Sequence, residues 1–301
     1  MLEYIKEYLK ANDVEYKENF KLSRISRIKT GGDSSFLVLP ENKLRFLKML
    51  SFFKECEQRY SIVGGASNIL FSDKDYDGVV IKTDKLRDFA FTGNSVSAEC
   101  GLPISALSSI LISRGLSGFE QLCGIPGSVG GAVFGNAGAF GSDISRVVKS
   151  IEAYDSLSGD VVNISCSDAD FSYRHSIFSG GRYVVLSVVF EFVESTPYDV
   201  REECMRWQTR RIATQPYTYP SLGSIFKKPS DDVFVGQLVE SCGLKGTTVG
   251  GASVSEKHAG FIVNIGDALS SDVVSLINIV SAIVYEKYGI VLEPEIIPIG
   301  F

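Results

Sequence analysis

The sequence predicts an α+β protein with more than one domain. Its 301 residues exceed what one hydrophobic core usually serves. Of these residues 45% are apolar and 22% are charged, a balance typical of globular chains. Strand patterns and helix patterns come in blocks rather than in strict alternation, which favours an α+β fold. A dense run of glycines at Gly124–Gly141 separates two of these blocks and indicates a ligand site.

The elements follow from apolar spacing and residue type. Apolar residues three and four apart predict helices in residues 1–10, near Asn42–Cys56, after Pro103, and at Tyr198–Arg211, Phe234–Cys242 and Ser270–Lys287. Runs rich in β-branched and aromatic residues predict strands at Phe36–Leu39, Ser61–Val63, Val79–Lys82, Ser95–Glu99, Lys149–Asp155, Val161–Ile164, Tyr183–Phe192 and Val291–Ile299. Ser158-Gly159-Asp160 predicts a hairpin turn between two of these strands.

Two polar segments divide the chain. Ser72–Gly78 and Glu194–Asp199 combine charged residues with turn formers, so each is a candidate domain boundary. They predict three domains, over residues 1–78, 79–195 and 196–301. The last strand is expected to return toward the first of them.

The composition of the chain argues against several classes of function. A net charge of −6 and a pI near 5.2 argue against a nucleic-acid-binding protein, whose surface would be basic. Six dispersed cysteines without C-x-x-C, and only two histidines, predict no metal site and a reducing compartment. The first ten residues do not resemble a secretory signal, and the longest apolar run, Val273–Tyr285, is too short for a bilayer. We therefore expect a cytoplasmic protein without membrane insertion.

The glycine belt, Gly124–Gly141, contains seven glycines and no Lys, Arg, Asp or Glu. Glycine loses more conformational freedom on folding than other residues. A chain accepts that cost where the backbone needs a positive φ or where a ligand lies against main-chain N–H groups. Without basic side chains, amides would bind the ligand, and a large flat molecule carrying a diphosphate fits this pattern. A packed Gly/Ala-rich turn is the alternative.

The glycines do not form a familiar nucleotide motif. The chain has no Gly-x-Gly and no glycine followed by lysine, which excludes the Rossmann fingerprint and the Walker A loop. A second glycine-rich segment, Gly64–Asn68, follows the predicted strand Ser61–Val63. Its consecutive amides, hydroxyl and carboxamide suit phosphate oxygens, although strands often end in Gly-Gly without any ligand.

Seven segments in register resemble one family, that of UDP-N-acetylenolpyruvoylglucosamine reductase. They are KTGGDSSFLVLP, VGGASNILF, CGIPGSVGGAVFGNAGAFG, FSYRHSIF, QPYTYPSLGSIFKKP, SEKHAGFIVN and VLEPEIIPIG. The resemblance covers nearly the whole chain and points to the shorter of two architectures in the family, which lacks an extra loop over the substrate.

The resemblance implies an α+β flavoenzyme that makes UDP-N-acetylmuramate for bacterial cell walls. It implies non-covalent FAD in a two-lobed domain of the PCMH/vanillyl-alcohol-oxidase type, followed by a C-terminal UDP-sugar domain. NADPH would be the co-substrate, UDP-N-acetylenolpyruvoylglucosamine the substrate, and the enzyme a monomer. The implied cofactor-binding residues are Gly64, Gly65, Ala66, Ser67, Asn68, Gly124, Pro126, Gly127, Ser128, Gly130, Gly131, Asn136, Ala137 and Gly138.

Three catalytic residues are implied by the same match: Arg174, Ser224 and Glu295. A guanidinium suits a carboxylate that gains negative charge, whereas a surface ion pair is the ordinary role of arginine. Ser224 would be the proton donor, although a turn or cap serine is the ordinary reading. Glu295 would stabilise the enol or relay its proton. It is chosen over Glu293 by position in the motif.

Other positions are carried over with less support. The implied substrate-binding residues are Tyr173, Arg211, Lys227 and Lys228. Each of the three basic residues among them could equally belong to a solvated basic face. Arg27 and Lys228 depart from the residues common in the family. We interpret His175 as packed or hydrogen-bonded rather than linked to flavin.

Two other functions use some of the same residues. An oxidase or dehydrogenase could use the FAD lobes on a sugar alcohol or lactone, and the C-terminal Glu-Pro-Glu speaks against it. A non-catalytic module could bind UDP-sugars without flavin, but the glycine belt would then have no assigned ligand.

Overall fold

The computed structural model describes residues 2–230 and 232–301. These residues form two compact units, each built from three stretches of chain. The first unit contains residues up to Glu18, Phe36–Gly65 and Gly78–Arg210. The second contains Asn19–Ser35, Ala66–Asp77 and Arg211–Phe301. The three domains predicted along the sequence stay a prediction.

Seven α-helices occur in the described residues, and six of them confirm the six predicted helices. They are α1 (Leu2–Ala11), α2 (Lys43–Glu55), α3 (Ile104–Arg114), α4 (Val129–Phe134), α5 (Pro197–Thr214), α6 (Val235–Ser241) and α7 (Ser270–Tyr288). The Asn42 side chain accepts a hydrogen bond from Arg45 N at 2.9 Å and so caps α2. Gly115 and Gly289 end α3 and α7 with φ of 64° and 66°, values that glycine adopts readily.

The described residues form more strands than the sequence analysis predicted. They are β1 (Glu15–Lys21), β2 (Asp33–Leu39), β3 (Tyr60–Val63), β4 (Ile69–Phe71), β5 (Tyr76–Lys82), β6 (Phe89–Thr92), β7 (Ser95–Glu99), β8 (Leu116–Ser117), β9 (Gly138–Ala139), β10 (Ser142–Asp143), β11 (Val148–Asp155), β12 (Val161–Ser165), β13 (Tyr183–Glu191), β14 (Val193–Glu194), β15 (Ser221–Ser224), β16 (Thr248–Val249), β17 (Ala252–Val254), β18 (Phe261–Asn264) and β19 (Ile297–Ile299).

The first unit is organised by a five-stranded antiparallel sheet in the order β12-β11-β13-β7-β6. The predicted hairpin between β11 and β12 is confirmed, with Tyr154 opposite Val161 and Gly159 at φ 89°. A second sheet has the order β1-β2-β5-β3, in which β3 and β5 run parallel. The core of this unit includes Phe46, Phe53 and Phe190, each at most 1% exposed.

The second unit contains an antiparallel sheet that the sequence analysis missed, β15-β18-β17-β16. Helix α7 supplies the predicted apolar face to its core, and Val273, Leu276, Val280 and Val284 are at most 1% exposed. The sequence analysis, which predicted three helices and one strand after residue 195, was therefore incomplete.

The C-terminal strand is shorter than predicted. Only Ile297–Ile299 form a strand, which pairs in parallel with β4 in the same unit. The predicted strand began at Val291, but Pro294 forms only an isolated bridge with Phe226. Proline has no N–H to give to a ladder, so it interrupts a regular strand.

Helix α7 is anchored in the second unit by Asp73. The carboxylate of Asp73 accepts hydrogen bonds from Ser270 N at 2.7 Å and from Ser271 N at 3.0 Å, while Asp73 N donates to Ser270 Oγ at 3.0 Å. Burial raises the pKa of Asp73, but these hydrogen bonds outweigh it and leave the pKa below its ordinary value.

Candidate active site

The glycine belt is an ordered turn–helix–turn. Its central residues form α4, and Ser128 caps this helix by accepting a hydrogen bond from Gly131 N at 3.4 Å. Left-handed backbone flanks the helix, with Gly127 at φ 134° before it and Gly141 at 81° after it. The α4 helix was not predicted, because it is only six residues long and two of them, Gly130 and Gly131, disfavour a helix.

Close approach explains other belt glycines. A side chain at Gly130 would place its first carbon 2.8 Å from Cys100 Cβ. One at Gly138 would lie 2.7 Å from the carbonyl oxygen of Ser142. Both positions therefore require glycine because neighbouring atoms occupy the space.

The two predicted phosphate-binding segments meet inside the first unit. A side chain at Gly64 would overlap the Ser128 hydroxyl, and one at Gly65 would lie 2.7 Å from Gly127 Cα. The two segments are therefore closely packed, with Gly64 against the Ser128 side chain and Gly65 against the Gly127 main chain. Main-chain N–H groups of such glycine-rich segments are suited to bind the oxygens of a diphosphate.

A buried lysine holds this contact in place. Lys82 Nζ donates to the Gly64 carbonyl at 2.8 Å and pairs with Asp84 Oδ1 at 2.7 Å. The residue is only 8% exposed. Sequence reasoning missed Lys82, although a lysine that ends the apolar run VVI was the available signal.

The remaining residues of the Gly64–Asn68 segment belong to the second unit. Ala66 has a left-handed φ of 48° and accepts a hydrogen bond from Arg27 N at 3.4 Å. Asn68 Nδ2 donates to the Glu295 carbonyl at 3.1 Å, and Ile297 N donates to the Asn68 carbonyl at 2.9 Å. Asn68, expected to bind the cofactor, thus fixes the segment that carries Glu295.

Arg174 lies in a tight turn of the first unit. Ser172 and His175 close the turn with two main-chain hydrogen bonds of 3.2 and 3.1 Å. Arg174 has φ 55°, a conformation that costs a non-glycine residue about 1 kcal/mol. Its guanidinium donates to the Gly138 carbonyl at 3.2 Å and lies 5.3 Å from the Tyr173 ring centre. The structure therefore brings Arg174 onto the glycine belt.

His175, the next residue, is exposed rather than packed. Its Nε2 lies 3.3 Å from Asp170 Oδ2. This contact agrees with the hydrogen-bonded alternative of the sequence analysis.

Ser224 ends β15 at an irregular point of the sheet in the second unit. The register with β18 shifts between Ser221 and Ser224, and Gly223 has φ 82°. A bulge of this kind re-aims the next side chain, and Ser224 is exposed. Ile225, which follows, is fully buried and fixes the strand end.

Glu295 lies alongside the same strand end. Glu295 N donates to the Ile225 carbonyl at 2.7 Å, and Lys227 N donates to the Glu293 carbonyl at 2.9 Å. The segment after Ser224 thus pairs antiparallel with residues 293–295. Sixty-six residues separate Lys227 from Glu293 in the sequence, so only the fold shows that Ser224 and Glu295 belong to adjoining segments.

The two glutamates have different surroundings. Glu293 is exposed, and its carboxylate pairs with Lys227 Nζ at 2.5 Å. Glu295 is half-buried, and its main chain is held on both sides by Ile225 and Asn68. The two glutamates therefore differ in exposure, and the catalytic role of Glu295 stays a prediction.

Three of the implied substrate-binding residues, Arg211, Lys227 and Lys228, lie in the second unit, and each has different neighbours. Lys227 pairs with Glu293, while Lys228 Nζ lies 5.0 Å from the ring centre of Phe234. Arg211 is 4% exposed, so it does not belong to a solvated face. Burial raises the pKa of Tyr217, and the positive charges of Arg211 and Arg27 oppose this shift.

Two cysteines also come together, contrary to the expectation of dispersed single thiols. Cys123, directly before the glycine belt, has its sulfur 2.7 Å from that of Cys204 on α5. Both are at most 2% exposed. The hydrogen bond with Cys123 and burial both raise the pKa of Cys204, so this thiol is a weak nucleophile.

Neither a metal-binding cluster nor a membrane-spanning helix occurs in the described residues. Among residues 2–230 and 232–301, no three His, Cys, Asp or Glu side chains are grouped as metal ligands. None of the helices in these ranges is both long and apolar enough to cross a membrane.

Comparison with known proteins assigns two parts of the chain to families. Residues 34–165 match the FAD binding domain family, and residues 215–299 match the C-terminal domain of UDP-N-acetylenolpyruvoylglucosamine reductase. The chain is thus an FAD-dependent oxidoreductase, with FAD as its cofactor. The predicted α+β architecture is confirmed.

Relatives give the particular family. The UDP-N-acetylenolpyruvoylglucosamine reductase of Caldicellulosiruptor bescii is 40% identical over 97% of this chain and 93% of its own length. That of Streptococcus pneumoniae is 39% identical over 98% and 96%. The crystal structure of the Thermus caldophilus reductase has a TM-score of 0.80 at 27% identity, covering 95% of this chain and 98% of its own. The chain belongs to the UDP-N-acetylenolpyruvoylglucosamine reductase family.

Proposed function

We propose that this protein uses NADPH to reduce the enolpyruvyl group of UDP-N-acetylglucosamine enolpyruvate to the lactyl ether of UDP-N-acetylmuramate, in peptidoglycan precursor synthesis. Family membership supports the substrate. The observation that carries the chemistry is the 2.7 Å hydrogen bond from Glu295 N to the Ile225 carbonyl. It sets a carboxylate-bearing segment beside the one that carries Ser224.

The cofactor would be held by backbone rather than by charge. The Gly64–Asn68 segment and the glycine belt would hold FAD non-covalently, through main-chain N–H groups that bind phosphate oxygens. Reduced FAD, when bound, supplies a hydride for the vinyl carbon of the substrate.

Arg174 would bind the enolpyruvyl carboxylate. Its guanidinium offers two parallel N–H donors and keeps its charge at any working pH. Negative charge grows on the carboxylate side of the substrate as the vinyl carbon is reduced, so a fixed cation stabilises the transition state more than the ground state. The turn that holds Arg174 at φ 55° keeps this cation in place before substrate arrives.

Ser224 would give its hydroxyl proton to the carbon next to the carboxylate. The hydroxyl is exposed at the end of β15, where the bulge at Gly223 re-aims it. Serine is a weak acid, so it needs a neighbour that returns the proton or stabilises the enol. Glu295 would fill that role, since its main chain is hydrogen-bonded to the Ile225 carbonyl, directly after Ser224.

The sugar nucleotide would contact Tyr173, Arg211, Lys227 and Lys228. Each offers a cation or a phenol to phosphate or sugar oxygens. We also propose that the enzyme is monomeric and cytoplasmic, which sedimentation and cell fractionation would test. The acidic composition argues against a nucleic-acid partner.

A stepwise visible spectrum tests the proposal. The purified protein should show flavin absorbance, lose it anaerobically with NADPH, and regain it when the enolpyruvyl sugar nucleotide is added. Flavin that NADPH bleaches but the substrate does not restore would contradict the proposed reaction. Oxygen uptake with a sugar alcohol or lactone, without need of NADPH, would instead indicate an oxidase on the same fold.

A further inference from the structure

We propose that Asn136 is a positioning residue for Arg174, and this inference rests on the proposed function of that arginine. The sequence analysis assigned Asn136 to the cofactor. In the structure its side chain instead ties the glycine belt to the Ser172–His175 turn, and we infer that this fastening sets the direction of the guanidinium.

The strained turn requires an external support. Arg174 at φ 55° is held in a conformation that bulky residues rarely adopt. Such conformations persist only when the surrounding structure over-determines them. The two main-chain bonds between Ser172 and His175 close the turn, but they do not fix its orientation on the rest of the unit.

The glycine belt provides that support through four hydrogen bonds. Asn136 Nδ2 donates to the Ser172 carbonyl at 2.9 Å, and Arg174 Nη2 donates to the Gly138 carbonyl at 3.2 Å. Beyond the turn, the hydroxyls of Ser176 and Ser179 donate to the Phe134 carbonyl at 2.7 and 3.1 Å. Asn136 is the belt residue that reaches the turn with its own side chain.

Both ends of the Asn136 carboxamide are engaged by protein. Nδ2 faces Ser172, and Oδ1 accepts from Ser145 N at 3.3 Å. The residue is 3% exposed and has φ 41°, a backbone that asparagine tolerates better than most residues. The Ser172 carbonyl accepts from His175 N as well, so its two lone pairs are both used. The carboxamide therefore links the belt to the base of the Arg174 turn.

The principal test is Asn136→Gly, which removes the carboxamide and still permits the positive φ. Asn12→Ala is the matched control, because Asn12 Nδ2 also donates to a carbonyl at 2.9 Å, that of Tyr8, in the same unit. Hydrogen exchange of the Ser172 and His175 amides, measured on the FAD-loaded proteins, should accelerate in Asn136→Gly and stay unchanged in Asn12→Ala. Unchanged exchange in Asn136→Gly would overturn the inference.

Half-reactions provide the second readout. Asn136→Gly should keep its FAD and be reduced by NADPH, while reoxidation by the enolpyruvyl substrate slows about 10- to 100-fold, the scale of a small misplacement of a catalytic group. In an Arg174→Ala background the same change should add almost no further slowing, because the residue acts through Arg174. Multiplicative slowing in the double variant would mean that Asn136 acts independently, and the inference would be wrong.

A second variant covers the case in which Asn136→Gly does not fold. Asn136→Asp keeps the shape and can accept from Ser145 N, but its carboxylate faces the Ser172 carbonyl without a donor. It should reproduce the faster exchange of the turn and the slowed reoxidation. Loss of FAD from both variants would make Asn136 a scaffold residue and refute the inference. If wild-type enzyme fails to reduce the substrate, the proposed function falls, while hydrogen exchange still decides the positioning role.

Discussion

The substitution Gly65→Ala tests the contact between the two glycine-rich segments that we assign to FAD. The new methyl carbon would lie 2.7 Å from Gly127 Cα and 3.2 Å from the Gly127 carbonyl carbon. These are backbone atoms, so no side chain can rotate away and one segment has to shift. Gly65 is not among the left-handed glycines of the described residues, so the effect is steric rather than conformational.

The expected magnitude follows from overpacking. Forcing one extra carbon into a packed contact costs about 1 to 3 kcal/mol. Bound FAD would hold both segments in place, so the variant can relax fully only when FAD is absent. The full free-energy cost of overpacking then reduces the affinity for FAD, and the Kd for FAD should rise by about 5- to 150-fold.

Fluorescence titration of FAD-free protein with FAD measures this change. The matched control is Gly180→Ala in the same unit, because a side chain there meets no atom within 4 Å and the backbone is not left-handed. The control should bind FAD within about twofold of wild type, as surface substitutions usually change little. If Gly65→Ala bound FAD as tightly as the control, the cradle would not lie at this contact.

Three further predictions concern chemistry and stability. Ser224→Ala should leave reduction by NADPH nearly intact and slow reoxidation by the substrate, and equal slowing of both steps would make Ser224 a binding residue. Arg174→Lys should lower kcat by about 100-fold without changing the melting temperature, because lysine has no bidentate fork. Asp73→Asn should lower the free energy of unfolding by about 1 kcal/mol at neutral pH. The pKa of Asp73 is lowered in the folded state, so its contribution is present above the ordinary value of 3.8 and lost as pH falls through the folded pKa. Denaturant titrations at several pH values should show wild type and variant converging in acid.

Local patterns in the sequence predict most helices and long strands well. Helix α7 begins at the predicted Ser270, and β7 matches Ser95–Glu99 at both ends. In both cases one apolar face packs into the core, so the periodicity along the chain contains the needed information. The short strands β16, β17 and β18 have two to four residues each and no readable period.

The glycine belt shows a different limit of the sequence. The high glycine content of the belt indicated a ligand site. The sequence does not show which glycines are needed for a positive φ and which are needed because neighbouring atoms approach closely. Gly127 and Gly141 are left-handed, whereas Gly130 and Gly138 leave room for Cys100 and Ser142. Those neighbours come from other elements, so the distinction depends on tertiary contacts.

The choice between Glu293 and Glu295 shows why the chemistry could not be derived from local sequence. If residues 291–299 formed one strand, the two carboxylates would share a face and would be hard to distinguish. Pro294 breaks that strand, and the segment instead follows residues 225–227 by main-chain bonds. That pairing brings Lys227 to Glu293 and sets Glu295 beside the residue after Ser224. The two glutamates therefore differ because of contacts with a segment that lies 66 residues away in the sequence, which no local pattern could reveal.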